Sequence, residues 1–248
     1  MTKRDIAAVR LHYGDTIISF HCRPTAQSGT RVRIHVEPDG RVIVDAPPDA
    51  ELQAIKRAVR RRAAWVHQQV EAARSRWAAL PSKDWVSGEA QRYLGRRYVL
   101  KIVVDPTQAE RAVVSGGYLR VFVHRRERDT VQRLVRAWYR ARAEEWLTRR
   151  VTDWSTALPW VRQVPPITLR PMSSRWGSCS PRGRLTLNPL LIRAPREAVD
   201  YVIVHELCHL KHHDHGAAFY KLLDRYVRDW RRIKTQLDDL AEALFAER

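Results

Sequence analysis

Polar and apolar positions alternate along residues 31–46. Val32, Ile34 and Val36 precede the triplet Pro38-Asp39-Gly40, and Val42 and Val44 follow it. A period of two on both sides of turn residues predicts a β-hairpin, which Pro47 and Pro48 then close. From Asp49 to Leu80 the period changes. Leu52, Ile55, Val59, Val66, Val70, Trp77 and Leu80 recur at helical spacing, predicting one long helix that stops at Pro81. A second β-rich stretch covers 98–104 and 118–123, punctuated by Gly116-Gly117.

Residues 130–157 predict an amphipathic helix that buries Val131, Leu134, Val135, Trp138, Leu147, Val151 and Trp154. Its aromatic residues suit packing. Short apolar stretches at 167–169 and 185–187 then flank a loop rich in Ser, Gly and Pro. Two further helices are expected. One runs from Pro195 to about His213, and the other from Gly216 onward, with Phe219, Leu222, Leu223, Tyr226, Trp230, Ile233, Leu237, Leu240 and Leu244 in register and a break near Arg228. This order predicts an α+β fold without the regular βαβ alternation of a parallel sheet. No internal repeat or low-complexity segment is evident.

At 248 residues the chain is long enough to bury a sizeable core, and 44% hydrophobic residues argue against disorder. No apolar run reaches the roughly 18 residues of a membrane span. The first residues lack the apolar core of a secretory signal, and Cys22, Cys179 and Cys208 are too few for a disulfide framework. The expected location is the cytoplasm. The charge of +18 is unevenly spread: residues 201–248 are balanced, whereas 81–150 hold 16 basic against 8 acidic residues. Arg-rich runs such as Arg60-Arg61-Arg62 and Arg125-Arg126 read as solvated faces that keep the protein soluble. The other reading is a surface for DNA or another acidic partner.

Five histidines fall within residues 205–215. His205 and His209 are four apart, so on a helix both imidazoles project from one face and can reach one tetrahedral ion. Glu206 lies beside them, near enough to touch a metal-bound water without being a ligand. That is the His-Glu-x-x-His arrangement of zinc hydrolases. The neighbours Val202, Ile203, Val204, Leu207 and Leu210 suit a buried helix, and Pro195 suits a first helical turn. His215 is chosen as third ligand over His212 and His213, because a chain turning at Gly216 can carry it back over the metal. Asp214 reads either as a partner orienting a ligand imidazole or as a turn residue. Cys208 is read as packing.

The segment HELCHLKHHDHGAAFY resembles the YgjP-like zinc metallopeptidases, themselves similar to the SprT-like proteases. Arg175-Trp176-Gly177-Ser178-Cys179-Ser180 and Leu185-Thr186-Leu187-Asn188 share in the likeness, which covers most of the chain from about residue 28. The resemblance implies a zincin-type fold and peptidase activity. It also implies one Zn2+ on His205, His209 and His215, with Glu206 catalytic. The spacing to His215 equals that of metzincins, but His212 stands where a metzincin has its turn glycine and no Met-turn can be assigned. The expected organisation is an N-terminal extension over 1–27, a β-rich subdomain with one long helix over 28–125, and a zincin-like catalytic region over 126–248.

Arg175 reads as a substrate or oxyanion partner or as a brace for its loop, and Trp176 as a core plug rather than a substrate platform. Cys179 has a minor reading as a fourth ligand. The strand around Leu185 and Leu187, if an exposed edge, would take an extended peptide as an added strand. The expected substrate is protein or peptide. The rival expectation is a nucleic-acid-associated zinc protein, either non-catalytic or a protease acting on DNA-bound protein.

Overall fold

The computed structural model describes residues 8–14, 16–24, 32–37, 39–79, 83–172 and 175–246. Pro38 of the expected turn and Leu80 and Pro81 of the expected helix end lie outside them, as does the side chain of Trp77. The chain divides into two compact units, Met1–Pro81 and Ser82–Arg248. Residues 28–125, grouped above as one subdomain, contribute to both.

In the first unit the expected hairpin forms from β3 (Arg33–Val36) and β4 (Val42–Ala46). Two strands that the pattern reading left unassigned join it: β1 (Val9–Tyr13) and β2 (Thr16–Pro24). The sheet order is β1-β2-β4-β3, with β2 and β4 parallel. Alternation sends Leu11, Ile18, Phe20, Val42 and Val44 to one face. There they meet Ile55, Val59, Val66 and Val70 in one core. The expected single helix is two, α1 (Leu52–Arg61) and α2 (Ala63–Ala79), broken at Arg62, which leaves the helical region at φ −115° and ψ 15°. The apolar spacing continues across the break, so periodicity alone could not reveal it.

The second unit begins with the same plan. β5 (Ala90–Tyr93), β6 (Arg96–Val104), β7 (Arg111–Ser115) and β8 (Tyr118–Val123) form a sheet of order β5-β6-β8-β7, again two hairpins joined through a parallel central pair. The topology thus repeats although the sequence shows no repeat. Registers align Phe20 and Val42 of the first sheet with Leu100 and Leu119 of the second, while Leu11 corresponds to the buried Gln91. α3 (Arg128–Ala157) covers the inner face of the second sheet with Val131, Leu134 and Val135. Its C-terminal half enters another core through Ala143, Leu147 and Val151.

That other core surrounds α4 (Arg196–Cys208), whose residues are buried nearly all round, as a helix in the middle of a unit must be. Arg150 on α3 chelates Asp200 on α4 with two bonds of 2.5 and 2.8 Å, and Trp154 Nε1 donates to the same carboxylate at 3.0 Å. Leu94 and Gly95 close the β5–β6 hairpin with φ of 48° and 79°. A Cβ at position 95 would lie 2.8 Å from the Pro195 backbone, so glycine is required where this turn meets the start of α4. A three-stranded sheet of order β10-β11-β9 follows α3, built from β9 (Ile167–Leu169), β10 (Gly177–Cys179) and β11 (Leu185–Leu187). After a 3-10 helix (Pro189–Arg193) come α4, α5 (Ala217–Tyr226) and α6 (Trp230–Ala246), with the expected break around Arg228. The fold is α+β. No helix among the described residues is long and apolar enough to cross a membrane.

Candidate active site

The expected helix to His213 ends earlier: α4 stops at Cys208 and His209 caps it. His209 keeps helical angles (φ −66°, ψ −17°), so His205 and His209 still share a face. The chain then turns through 210–216 and brings His215 back, just ahead of α5. Ligand nitrogens of His205, His209 and His215 lie within 4.8 Å of one another, and His205 Nε2 is 3.0 Å from His215 Nε2. Bonds of about 2.0–2.1 Å to a tetrahedral ion place nitrogens roughly 3.3 Å apart, so this donor set fits one zinc-sized ion.

His209 Nδ1 bonds the carbonyl of His212 at 3.1 Å, which fixes its tautomer and frees Nε2. The backbone of His212 thus does the orienting considered for Asp214, whose carboxylate lies against Gly216. Beneath the cluster sits Phe219, fully buried, with ring centroids 4.9, 4.8 and 4.7 Å from those of His205, His209 and His215. The sequence read Phe219 only as core. Its place three residues after the Gly216 cap was the available signal that it faces back toward His215. Burial, reinforced by the other two imidazoles, pushes His205 down to about 3, so it is neutral at ordinary pH, the form able to bind a metal. His209 is lowered for the same first reason.

Glu206, one residue past His205 on α4, packs against β10. Burial pushes its carboxyl up to about 8, opposed by the Arg175 charge and by a hydrogen bond from the Cys179 backbone. A divalent cation nearby would favour the ionised form. Gly177 is the neighbour that makes room: a Cβ there would fall 2.8 Å from both Cγ and Oε1 of Glu206. Sequence reasoning missed this role. A lone glycine inside a short strand was the signal, since it marks close approach by another group. Cys179 lies beside Glu206, its thiol pushed to about 11 by burial and by that carboxylate, and it is not among the clustered ligands. Cys208 is wholly buried in the core.

The expectation that residues 184–188 form a sheet edge is corrected. β11 is the central strand, paired with β10 on one side and β9 on the other, and Leu185 and Leu187 are fully buried. Both outer strands are only three residues long, too short for alternation to be read. The edge nearest Glu206 is β10. Asn188 and Ser180 give their N–H groups to Trp176 and Arg184 across the β10–β11 ladder. By alternation, Gly177 and Cys179 turn their backbone groups away from β11, on the side where the Cys179 N–H meets Glu206.

Asn188 holds the loop that leads into β10. Its side chain, itself fully buried, donates to the carbonyls of Met172 (2.9 Å) and Arg175 (3.1 Å) and accepts from Leu190 N (3.2 Å). Arg175 is exposed above it, and Trp176 stacks on Phe245 of α6 at 4.6 Å. Asn188→Ala strips partners from three backbone groups, and the expected destabilisation is about 3 kcal/mol. Urea denaturation should show it as a lower midpoint at unchanged slope.

Known proteins place this geometry in context. Part of the chain is similar to the crystal structure of the metallopeptidase zymogen of Pyrococcus abyssi abylysin, at 21% identity over 38% of this chain and 90% of that one, with a TM-score of 0.32. The metallopeptidase zymogen of Methanocaldococcus jannaschii jannalysin gives 22% identity, 38% and 91% coverage, and the same TM-score of 0.32. No curated protein matches the chain. The model of one family, YgjP-like, metallopeptidase domain, matches residues 30–240, a span that holds both the histidine cluster and the β10 loop. The chain belongs to the YgjP-like metallopeptidase-domain family.

Proposed function

We propose that this chain is a zinc-dependent metallopeptidase in which His205, His209 and His215 hold one ion and Glu206 is the general base. The convergence of three imidazoles carries this reading: three neutral ligands leave a tetrahedral ion one position for solvent or substrate. It favours an open catalytic site over the closed four-ligand site of a structural zinc. A bound zinc supplies positive charge that polarises the scissile carbonyl and acidifies the attacking water.

The chain's own groups do the rest. Glu206 accepts the proton of the attacking water on its carboxylate and returns it to the departing amine. Phe219 and the surrounding core keep the imidazoles in place and the site dry from below. An extended peptide adds to the edge of β10, where Gly177 and the Cys179 carbonyl offer backbone bonds with little side-chain selectivity. Arg175, exposed beside this edge, is a candidate partner for a substrate carboxylate or the developing oxyanion. The three free cysteines suit a cytoplasmic enzyme.

Elemental analysis and casein digestion test the reading together. The expected result is about one zinc per chain, with digestion abolished by a chelator and restored by zinc. His215→Ala should weaken zinc retention at least about tenfold. Digestion indifferent to chelation would overturn the proposal.

A further inference from the structure

The sheet β5-β6-β8-β7 has two faces with opposite characters. α3 seals one with Leu100, Ile102, Leu119, Val121 and Val123. The other is open. It carries Arg92 and Arg97 on β5 and β6, Lys101 on β6, Arg111 on β7, and Tyr118, Arg120 and Phe122 on the central strand β8. No Asp or Glu occurs in any of the four strands.

The arrangement is interleaved. Registers place Lys101 beside Arg120 and Arg111 beside Phe122. The Arg111 guanidinium lies 4.3 Å from the centre of the Phe122 ring, while Lys101 and Arg120 lie 5.5 and 5.9 Å from that of Tyr118. Arg120 Nε is buried and has no hydrogen-bond partner. Val99, Val113 and Tyr118 expose apolar surface among these cations. Cations set around an exposed Tyr118 ring, with the half-buried Phe122 ring beneath Arg111 beside it, suit a stacked base and its phosphates.

We infer that this face binds single-stranded nucleic acid, with Tyr118 and Phe122 stacking on unpaired bases and Lys101, Arg111 and Arg120 meeting the phosphates. A second copy of the chain is disfavoured, because the same positive face would meet itself. A duplex offers no ring faces to Tyr118 and Phe122. The corresponding face of β1–β4 differs: Asp45 there engages both Arg23 and His35, and its outward positions hold no Phe, Tyr or Trp. The inference is independent of the peptidase reading, since it uses none of the metal-site residues.

Fluorescence anisotropy of the zinc-loaded full chain tests it, using a labelled oligothymidylate of about twelve nucleotides, a size within the range of such platforms. The wild type should bind the single strand about tenfold or more tighter than a duplex of equal length, and tighter than an abasic strand by a similar factor. Tyr118→Ala/Phe122→Ala should lose about tenfold or more while keeping the salt dependence. Lys101→Gln/Arg120→Gln should flatten the slope of log affinity against log salt by about 1.4. Casein digestion should be unchanged in both variants. Equal affinity for the abasic strand, a preference for duplex, or binding only to anionic phosphatidylserine vesicles would each overturn the inference. The abasic comparison needs no mutation, so it stands even if a variant misfolds.

Discussion

Glu206→Gln is expected to keep the metal and lose peptide hydrolysis by roughly 10³-fold, the middle of the range for removing a general base. Gln fills the same volume, so the Glu206 pocket against Gly177 should survive. The three imidazoles are untouched, and zinc content should stay at the wild-type value. Only the ability to take a proton from water disappears. The loss should appear in kcat and in kcat/KM alike, because the proton transfer belongs to the transition state and not to substrate binding. Removing a buried carboxyl that is pushed up to about 8 also removes a desolvation cost at alkaline pH. The metal-free Gln variant should therefore be no less stable than the metal-free wild type above neutral pH. A carboxyl raised above its unfolded value disfavours the folded state as pH climbs from about 4.5 toward 8. A zinc-loaded Gln variant that still turns over a fluorogenic peptide at the wild-type rate would remove Glu206 from the chemistry.

How far the sequence could be read follows from element length. Residues 33–46 and 128–157 showed their period because each spans several repeats, and the helix over residues 196–208 announced itself by continuous apolar character. β1 and β2 also alternate, through Val9, Leu11, Ile18, Phe20 and Cys22, but the exposed Ile17 beside Ile18 interrupts the pattern. The strands that shape the active site are three residues each, shorter than two periods, so the order β10-β11-β9 was not available from periodicity. The wrong edge followed from that. The histidine cluster was legible because its spacing is local: i, i+4 on a helix and a third residue just beyond the helix end. Gly177 and Phe219 were not, because what they do depends on side chains that approach from other elements.

Gly177→Ala is the sharpest test of how β10 serves Glu206. The backbone at this position is ordinary, so the substitution adds no torsional strain; the only change is a methyl group. That methyl would fall 2.8 Å from Cγ and Oε1 of Glu206, closer than real carbons tolerate, and 3.0 Å from its Cδ. Either the strand recedes or the carboxylate moves, and α4 is too tightly buried to yield easily. A displacement approaching 1 Å at the general base should lower kcat by about 10²-fold. Zinc content should hold, since the methyl group would meet Glu206 and none of the three histidines. A merely destabilised protein would lose activity too, so the decisive comparison is a double-mutant cycle. Gly177→Ala placed on Glu206→Gln should cost almost nothing more in kcat, because the group it misplaces is already inert. If the two losses instead multiply in full, Gly177 acts on something other than Glu206, and the edge of β10 is not where the base is held.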